Sequence, residues 1–130
     1  MRKDMDLIIS IKPKYAEQIL FGKKTVEYRK TLIKNKIDKF YVYSTAPIKK
    51  VIGYFESDGI IQKSPIDLWK ETCQQGQIEA KDYFQYFKGK DKAYAISIKK
   101  FHPFKKPILL KDFDKNPIPP QSFRYYSARV

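Results

Sequence analysis

One cysteine, Cys73, and one histidine, His102, are all that 130 residues offer of the side chains most used for thiol and metal chemistry. A single thiol excludes a disulfide framework and a thiolate cluster, and one histidine with one cysteine cannot build a zinc site. Clustered carboxylates of the kind that hold magnesium do not stand out. The Gly-x-x-x-x-Gly-Lys-Ser/Thr phosphate loop, the dinucleotide fingerprint and His-Glu-x-x-His are all missing. The expectation is therefore a chain with no metal and no cofactor. Long apolar runs are missing too, and the opening residues 1–6 lack the hydrophobic stretch of a signal peptide. That reads as a cytoplasmic protein with no membrane partner. Arginine is scarce, with only Arg2, Arg29, Arg124 and Arg129.

What the chain has in abundance is lysine. Twenty-seven basic residues face fourteen acidic ones, a net charge of +13. A surplus of that size on a small protein attracts polyanions, and no basic amphipathic helix with an apolar face turns the reading towards a membrane. RNA or a nucleotide-like ligand is the expected partner. Hydrophobic residues make up 42% and aromatics 15%, enough for a globular core. The length and the lack of a linker or repeat suggest one domain over 1–130.

Residues 10–29 organise the rest. Pro13 suits a first helical turn, and Tyr15, Ala16, Ile19 and Leu20 fall on one helical face. Gly22 stands where a helix ends in a left-handed residue. Thr25 to Arg29 then alternate as a strand, with Thr25, Glu27 and Arg29 on one side and Lys24, Val26 and Tyr28 on the other. An acid, two lysines and an arginine beside a helix end suit a phosphate or a polar base edge. An ordinary surface ion pair has the same spacing and would be worth little.

The pattern Ser10-Ile11-Lys12-Pro13, then Tyr15-Ala16, Ile19, and Gly22-x-Lys24-x-x-Glu27-x-Arg29 resembles the ASCH domain family of the PUA-like superfamily. Tyr43-Ser44-Thr45-x-Pro47 and Pro119-Pro120-Gln121-Ser122-Phe123 add to the likeness, which covers about residues 7–125. The resemblance implies an α+β fold, a PUA-like small mixed β-barrel flanked by helices. It also implies a cleft beside the first helix that takes RNA or a nucleotide. The matching cleft residues are Lys12, Lys24, Glu27, Arg29, Tyr43, Ser44, Thr45 and Ser122. Lysines and Arg29 would hold phosphate, Glu27 would accept from a base amino group, and an exposed Tyr28 or Tyr43 would stack on a base.

An enzyme is the second reading, because some members of the family are acetylcytidine amidohydrolases and others ribonucleases. The catalytic candidates are Lys24 and Glu27, as an acid/base pair across a ribose hydroxyl and leaving oxygen. In the amidohydrolase type a threonine stands three residues after the lysine; here that position is Glu27, and Glu71 and Glu79 are the candidates for the later glutamate. Glu27 beside Lys24 would raise the lysine's pKa, which argues against a nucleophilic lysine. A third reading is a small regulatory or protein-interaction domain whose basic face is incidental.

Along the remaining chain, 7–11 reads as a buried strand and 30–36 as a basic loop. Residues 38–45 and 49–57 read as a hairpin with a bend at Gly53, and 60–63 as its short continuation. Ser64-Pro65 opens a helix that Gln74 to Gln77 break, and a second helix covers 79–87. A strand over 92–101, a short strand over 107–113 and a turn or short helix over 121–126 complete it. Cys73 and His102 read as structural residues.

Overall fold

The computed structural model describes residues 5–126. Its strands are β1 (Met5–Ile11), β2 (Val26–Arg29), β3 (Ile37–Ser44), β4 (Lys50–Glu56), β5 (Ile60–Lys63), β6 (Ala93–Ser97), β7 (Lys100–Leu109) and β8 (Phe123–Tyr126). The helices are α1 (Pro13–Leu20), α2 (Pro65–Gly76), α3 (Ala80–Tyr86) and the single turn α4 (Leu110–Phe113). The mixed α+β class is as expected.

Two sheets form. One runs β7-β4-β3-β1-β8 and the other β2-β6-β5. Among the described residues they do not close into the small barrel that the resemblance implied: β7 and β8 end the larger sheet, and β2 pairs there with β6 alone. The reason lies in α1, which carries the chain out of the first sheet so that β2 starts the second one. β1 and β3 run parallel, which a hairpin cannot connect.

Local signals are realised where they are local. Pro13 occupies the first turn of α1, and Gly22 follows it at φ 74°. Ser64 accepts from the Asp67 amide and caps α2, with Pro65 behind it. β3 and β4 form the expected antiparallel pair, interrupted by a bulge at the Val42/Tyr43 step.

α2 runs on through the expected break at Gln74 to its end at Gly76, and four other boundaries differ for non-local reasons. The stretch 92–101 splits into β6 and β7, because Ile98 donates to Thr25 in one sheet and Lys99 to Glu56 in the other. The chain crosses between sheets there. Residues 60–63 do not continue the hairpin but pair with β6. Leu110 to Phe113, expected within a strand, coil into α4 after β7 has run on to Leu109. The tail at 123–126 is a strand, β8, antiparallel to β1.

The core lies on both sides of the larger sheet. Leu7, Ile9, Ile11, Phe40, Val42 and Phe55 pack on one side with α1 residues Ala16 and Ile19. Ile8, Tyr43, Val51 and Leu110 form a smaller cluster. The second sheet packs against α2 and α3 through Val26, Tyr28, Leu68, Tyr83 and Phe87. On α3 the aromatic stripe is therefore mostly core, although Phe84 stays exposed. No helix among the described residues is long and apolar enough to cross a membrane.

Candidate active site: a buried lysine, glutamate and arginine

The path from α1 to β2 places the charged residues. Phe21 and Gly22 close the helix, and the Lys23 and Lys24 amides both donate to the Gln18 carbonyl. That hook turns Lys24 inward before the β-alternation begins at Val26. Lys24 therefore does not sit across the strand from Glu27, as strict alternation over 24–29 predicted. Its Nζ lies 3.7 Å from Glu27 Oε1.

All three charged side chains are buried: Lys24 is 2% exposed, Glu27 7% and Arg29 8%. Arg29 donates from Nη2 to Glu27 Oε2 at 2.6 Å and to the Ser10 carbonyl at 2.8 Å. Its Nη1 donates to Ser122 Oγ at 3.1 Å. Its Nε–H is buried and finds no acceptor among the described residues. A buried donor in that condition is costly and unusual.

The tail builds the far wall. The Ser10 amide donates to the Ser122 carbonyl at 2.9 Å, and Ser10 Oγ donates to the Pro120 carbonyl at 2.7 Å. Residues 120–122 are thereby fixed against β1, bringing Ser122 to Arg29 from 93 residues away.

Lys24 lies in an aromatic and carbonyl cage. Its Nζ donates to the Gly76 carbonyl and stands 5.0 Å from the Tyr15 ring centre and 5.4 Å from that of Tyr28. Such rings favour a cation. Burial nevertheless pushes the Lys24 pKa down from 10.5; the neighbouring Glu27 works in the opposite direction, and Arg29 adds to the lowering. Glu27 does raise it, as expected, but desolvation outweighs the carboxylate and the net direction is down. The linkage sign follows. The cost of burying charged Lys24 is fully felt below its lowered folded pKa, and it fades as pH rises from there towards 10.5.

The end of α2 locks the cage. Tyr28 Oη lies 2.7 Å from Thr72 Oγ1, and the Thr25 amide donates to the Gln75 carbonyl at 2.9 Å. A Cβ on Gly76 would stand 2.4 Å from Tyr28 Cε2. Gly76→Ala is thus expected to cost about 1–2 kcal/mol by overpacking. It should also displace Tyr28 from Thr72, and a thermal melt together with the shift of the Tyr28 ring resonances checks both.

Of the remaining candidates, Lys12 is exposed at the N-cap of α1, where its carbonyl accepts from the Tyr15 and Ala16 amides. Tyr43 and Ser44 are buried near the end of β3, and Tyr43 is the register partner of Ser10. Thr45 continues the ladder by donating its amide to the Ile11 carbonyl. The structure thus joins Lys24, Glu27, Arg29 and Ser122 by direct contacts and puts Tyr43 and Ser44 on β3 with Thr45 just past its end, beside β1 rather than β2. Tyr28 and Tyr43, candidates for stacking on a base if exposed, are 6% and 3% exposed and belong to the core. Glu71 is exposed and pairs with Lys63, and Glu79 precedes α3. No group of three His, Cys, Asp or Glu residues among the described residues is placed to hold a metal.

Sequence reasoning passed over Ser10, Thr72 and Gly76. Ser10 left a signal: a lone hydroxyl interrupting Leu7-Ile8-Ile9 and Ile11 in a buried strand. Thr72 and Gly76 left none, because their contacts lie 44 and 52 residues from their partners Tyr28 and Lys24.

The ASCH domain family model matches residues 9–102. An ASCH domain-containing ribonuclease of Zymomonas mobilis is 32% identical over 92% of this chain and 83% of its own length. The crystal structure of ASCH from Zymomonas mobilis superposes with a TM-score of 0.87 at 32% identity, covering 94% of this chain and 87% of that one. Large ribosomal subunit protein uL22 of Ureaplasma parvum is 35% identical over 92% of this chain, and the match spans only 38% of that longer protein. With these matches over the hooked lysine, the buried glutamate and the arginine, the chain belongs to the ASCH domain family.

Proposed function

We propose that the chain is one ASCH domain that binds RNA, taking a nucleotide-like group at the cleft beside α1 and β2 where Lys24, Glu27, Arg29 and Ser122 meet. One observation carries this reading: Arg29 is buried and held by three acceptors, yet its Nε–H has no acceptor among the described residues. A phosphate oxygen or a base carbonyl supplies the missing acceptor, and a charge-assisted bond to a buried guanidinium is a strong one. Ser122 presents a hydroxyl beside it, and exposed Lys12 guards the rim. Tyr43, Ser44 and Thr45 form the neighbouring wall, with Tyr43 beside Ser10. Glu27 accepts from a base amino group when its Lys24 contact loosens. The +13 charge draws the polyanion in.

Cleavage is the second reading, and the ribonuclease relative favours it. Lys24, with its lowered pKa, and Glu27 then act as the acid/base pair across a ribose 2′-hydroxyl and the leaving 5′-oxygen. A lysine brought down from 10.5 is better matched to proton transfer near neutral pH than an ordinary one.

Binding of a labelled single-stranded RNA across a salt series, with its integrity read on the same gel, tests both. Wild type is expected to lose affinity steeply as salt rises. The Lys24→Ala, Glu27→Ala double variant leaves buried Arg29 on Ser10 and Ser122 without its carboxylate, which costs stability. Its circular dichroism is therefore read first, and Ser122→Ala, which keeps the ion pair, serves as the second variant; each is expected to bind about tenfold more weakly. RNA fragments made by wild type and absent with the double variant establish cleavage. No wild-type binding at low salt overturns the proposal.

A further inference from the structure

A second surface stands apart from the buried triad, on the face of the larger sheet formed by the alternate residues of β3, β4 and β7. Tyr54 and His102 are register partners there, and their rings stack at 4.6 Å with an interplanar angle of 20°. Glu56 Oε1 lies 2.7 Å from His102 Nε2 and fixes the orientation of the imidazole. The stack is not core. The His102 and Glu56 side chains are 30% and 45% exposed. Lys39 Nζ stands 5.3 Å over the Tyr54 ring, and Lys100, the register partner of Glu56, is exposed at the open edge. Further inward on the same face, Tyr41 meets Tyr54 edge-on at 5.7 Å.

We infer that this face is a stacking platform for single-stranded RNA, with a base lying on the outer side of His102 and the flanking phosphates held by Lys39 and Lys100. The chemistry is specific to that partner. Tyr54 has Lys39 over its ring and His102 stacked against it, and His102, 30% exposed on the edge strand, is the outer member of the stack. A base continues the stack with little sequence preference, because every base has a π-face. Two lysines beside the rings match a backbone carrying one charge per nucleotide. A duplex hides its bases and gains nothing from the rings. The edge position of β7, which pairs only with β4, leaves room for a strand of RNA to pass. Pro103 and Pro107 on that edge lack the N–H groups that would recruit another β-strand, which speaks against a second copy of this chain.

The inference rests on the RNA reading and extends it to a second surface, and the two are separable. The experiment measures affinity of wild type, His102→Leu, Tyr54→Leu and the Lys24→Ala, Glu27→Ala variant for three probes: a fluorescein-labelled 12-mer oligouridylate, a 12-base-pair RNA duplex and uridine monophosphate. Both leucine variants should weaken the 12-mer about tenfold while leaving the duplex and the monophosphate unchanged. His102→Leu sits on a half-exposed position and should keep the wild-type circular dichroism; Tyr54→Leu provides the independent check. Unchanged 12-mer affinity in both folded variants overturns the platform and leaves the cleft reading intact. Loss of 12-mer affinity in the leucine variants alone, with the double variant binding like wild type, supports the platform and overturns the cleft. Equal losses for 12-mer and duplex show a charge effect only and also overturn it, as does pairing of the face with a second copy, seen as a dimer in sedimentation that His102→Leu dissolves.

Discussion

Arg29→Met is expected to destabilise the protein by about 3–5 kcal/mol, because it removes one partner of a buried pair and leaves the other enclosed. Glu27 would retain only Lys24 at 3.7 Å, a poor substitute for the 2.6 Å contact from Arg29. The loss is not confined to the ion pair. The Ser10 carbonyl and Ser122 Oγ lose their donor as well, so the 120–122 segment loses a tether to β2. Urea unfolding reads the total. Amide exchange reads the distribution: Phe123 and the rest of β8, which pair with β1 just beyond the tether, should exchange faster than β6. A loss below about 1 kcal/mol would class the pair with ordinary surface ion pairs. The variant also shifts pH dependence. Without Arg29, the Lys24 pKa loses a contribution that lowers it, so the pH range over which its burial cost fades moves upward.

Gly53→Ala should be comparably damaging for a different reason. Gly53 has φ 156°, and a Cβ there would stand 2.4 Å from the His102 carbonyl oxygen and 2.8 Å from Pro103 Cα. Those are backbone atoms of the neighbouring strand, so no side chain can swing aside. The β4–β7 ladder must separate at the bulge between Val51 and Gly53, at an expected cost of about 3 kcal/mol. Thermal unfolding measures it, and loss of the Glu56–His102 contact, seen in the imidazole resonances, confirms where the damage lies. A melting temperature within a degree or so of wild type would contradict the close approach.

These two positions also show what a sequence discloses. Gly53 was legible as a bend, because a glycine inside an aromatic and β-branched strand has little other use; what it faces was not, since β7 lies fifty residues away. The α1 segment was legible throughout. Pro13, the apolar spacing and Gly22 are all local signals, and each corresponds to a turn of backbone that they favour. β8 was not legible, because Phe123-Arg124-Tyr125-Tyr126 becomes a strand only by pairing with the distant β1, Phe123 with Ile9 through Tyr126 with Asp6. For the same reason the barrel expectation outran the chain: sheet closure depends on which edges meet, and nothing local encodes that β2 pairs with β6 and with no other strand.

The site followed the same rule. Glu27 and Arg29 were recognisable as a pair at i and i+2 on one strand face, and they do bond. Lys24 was assigned to the opposite face because the strand was started two residues too early; the hook onto the Gln18 carbonyl reverses it. Tyr28 or Tyr43 suits a base only if exposed, and exposure is not legible in the motif around them. Burial is decided by α2 and by the β1–β3 ladder, not by those neighbours. Their enclosure moves the search for a stacking surface to Tyr54 and His102, which sequence alone had set aside as a strand residue and a structural histidine.

On the proposed reading, the buried Arg29 Nε–H takes its acceptor from the ligand. The most direct measurement is a proton–nitrogen correlation spectrum of the arginine Nε–H region, with Arg29 assigned by its disappearance in Arg29→Lys, titrated with a nucleoside monophosphate and then with a single-stranded RNA. The account predicts that the Arg29 resonance shifts downfield with saturation as a new hydrogen bond forms, and that Arg124, bound to Asp114, does not move. An Arg29 signal that stays in place while RNA binding is visible elsewhere would contradict it, and would make the buried lysine, glutamate and arginine a structural pin that holds α2 and the tail together.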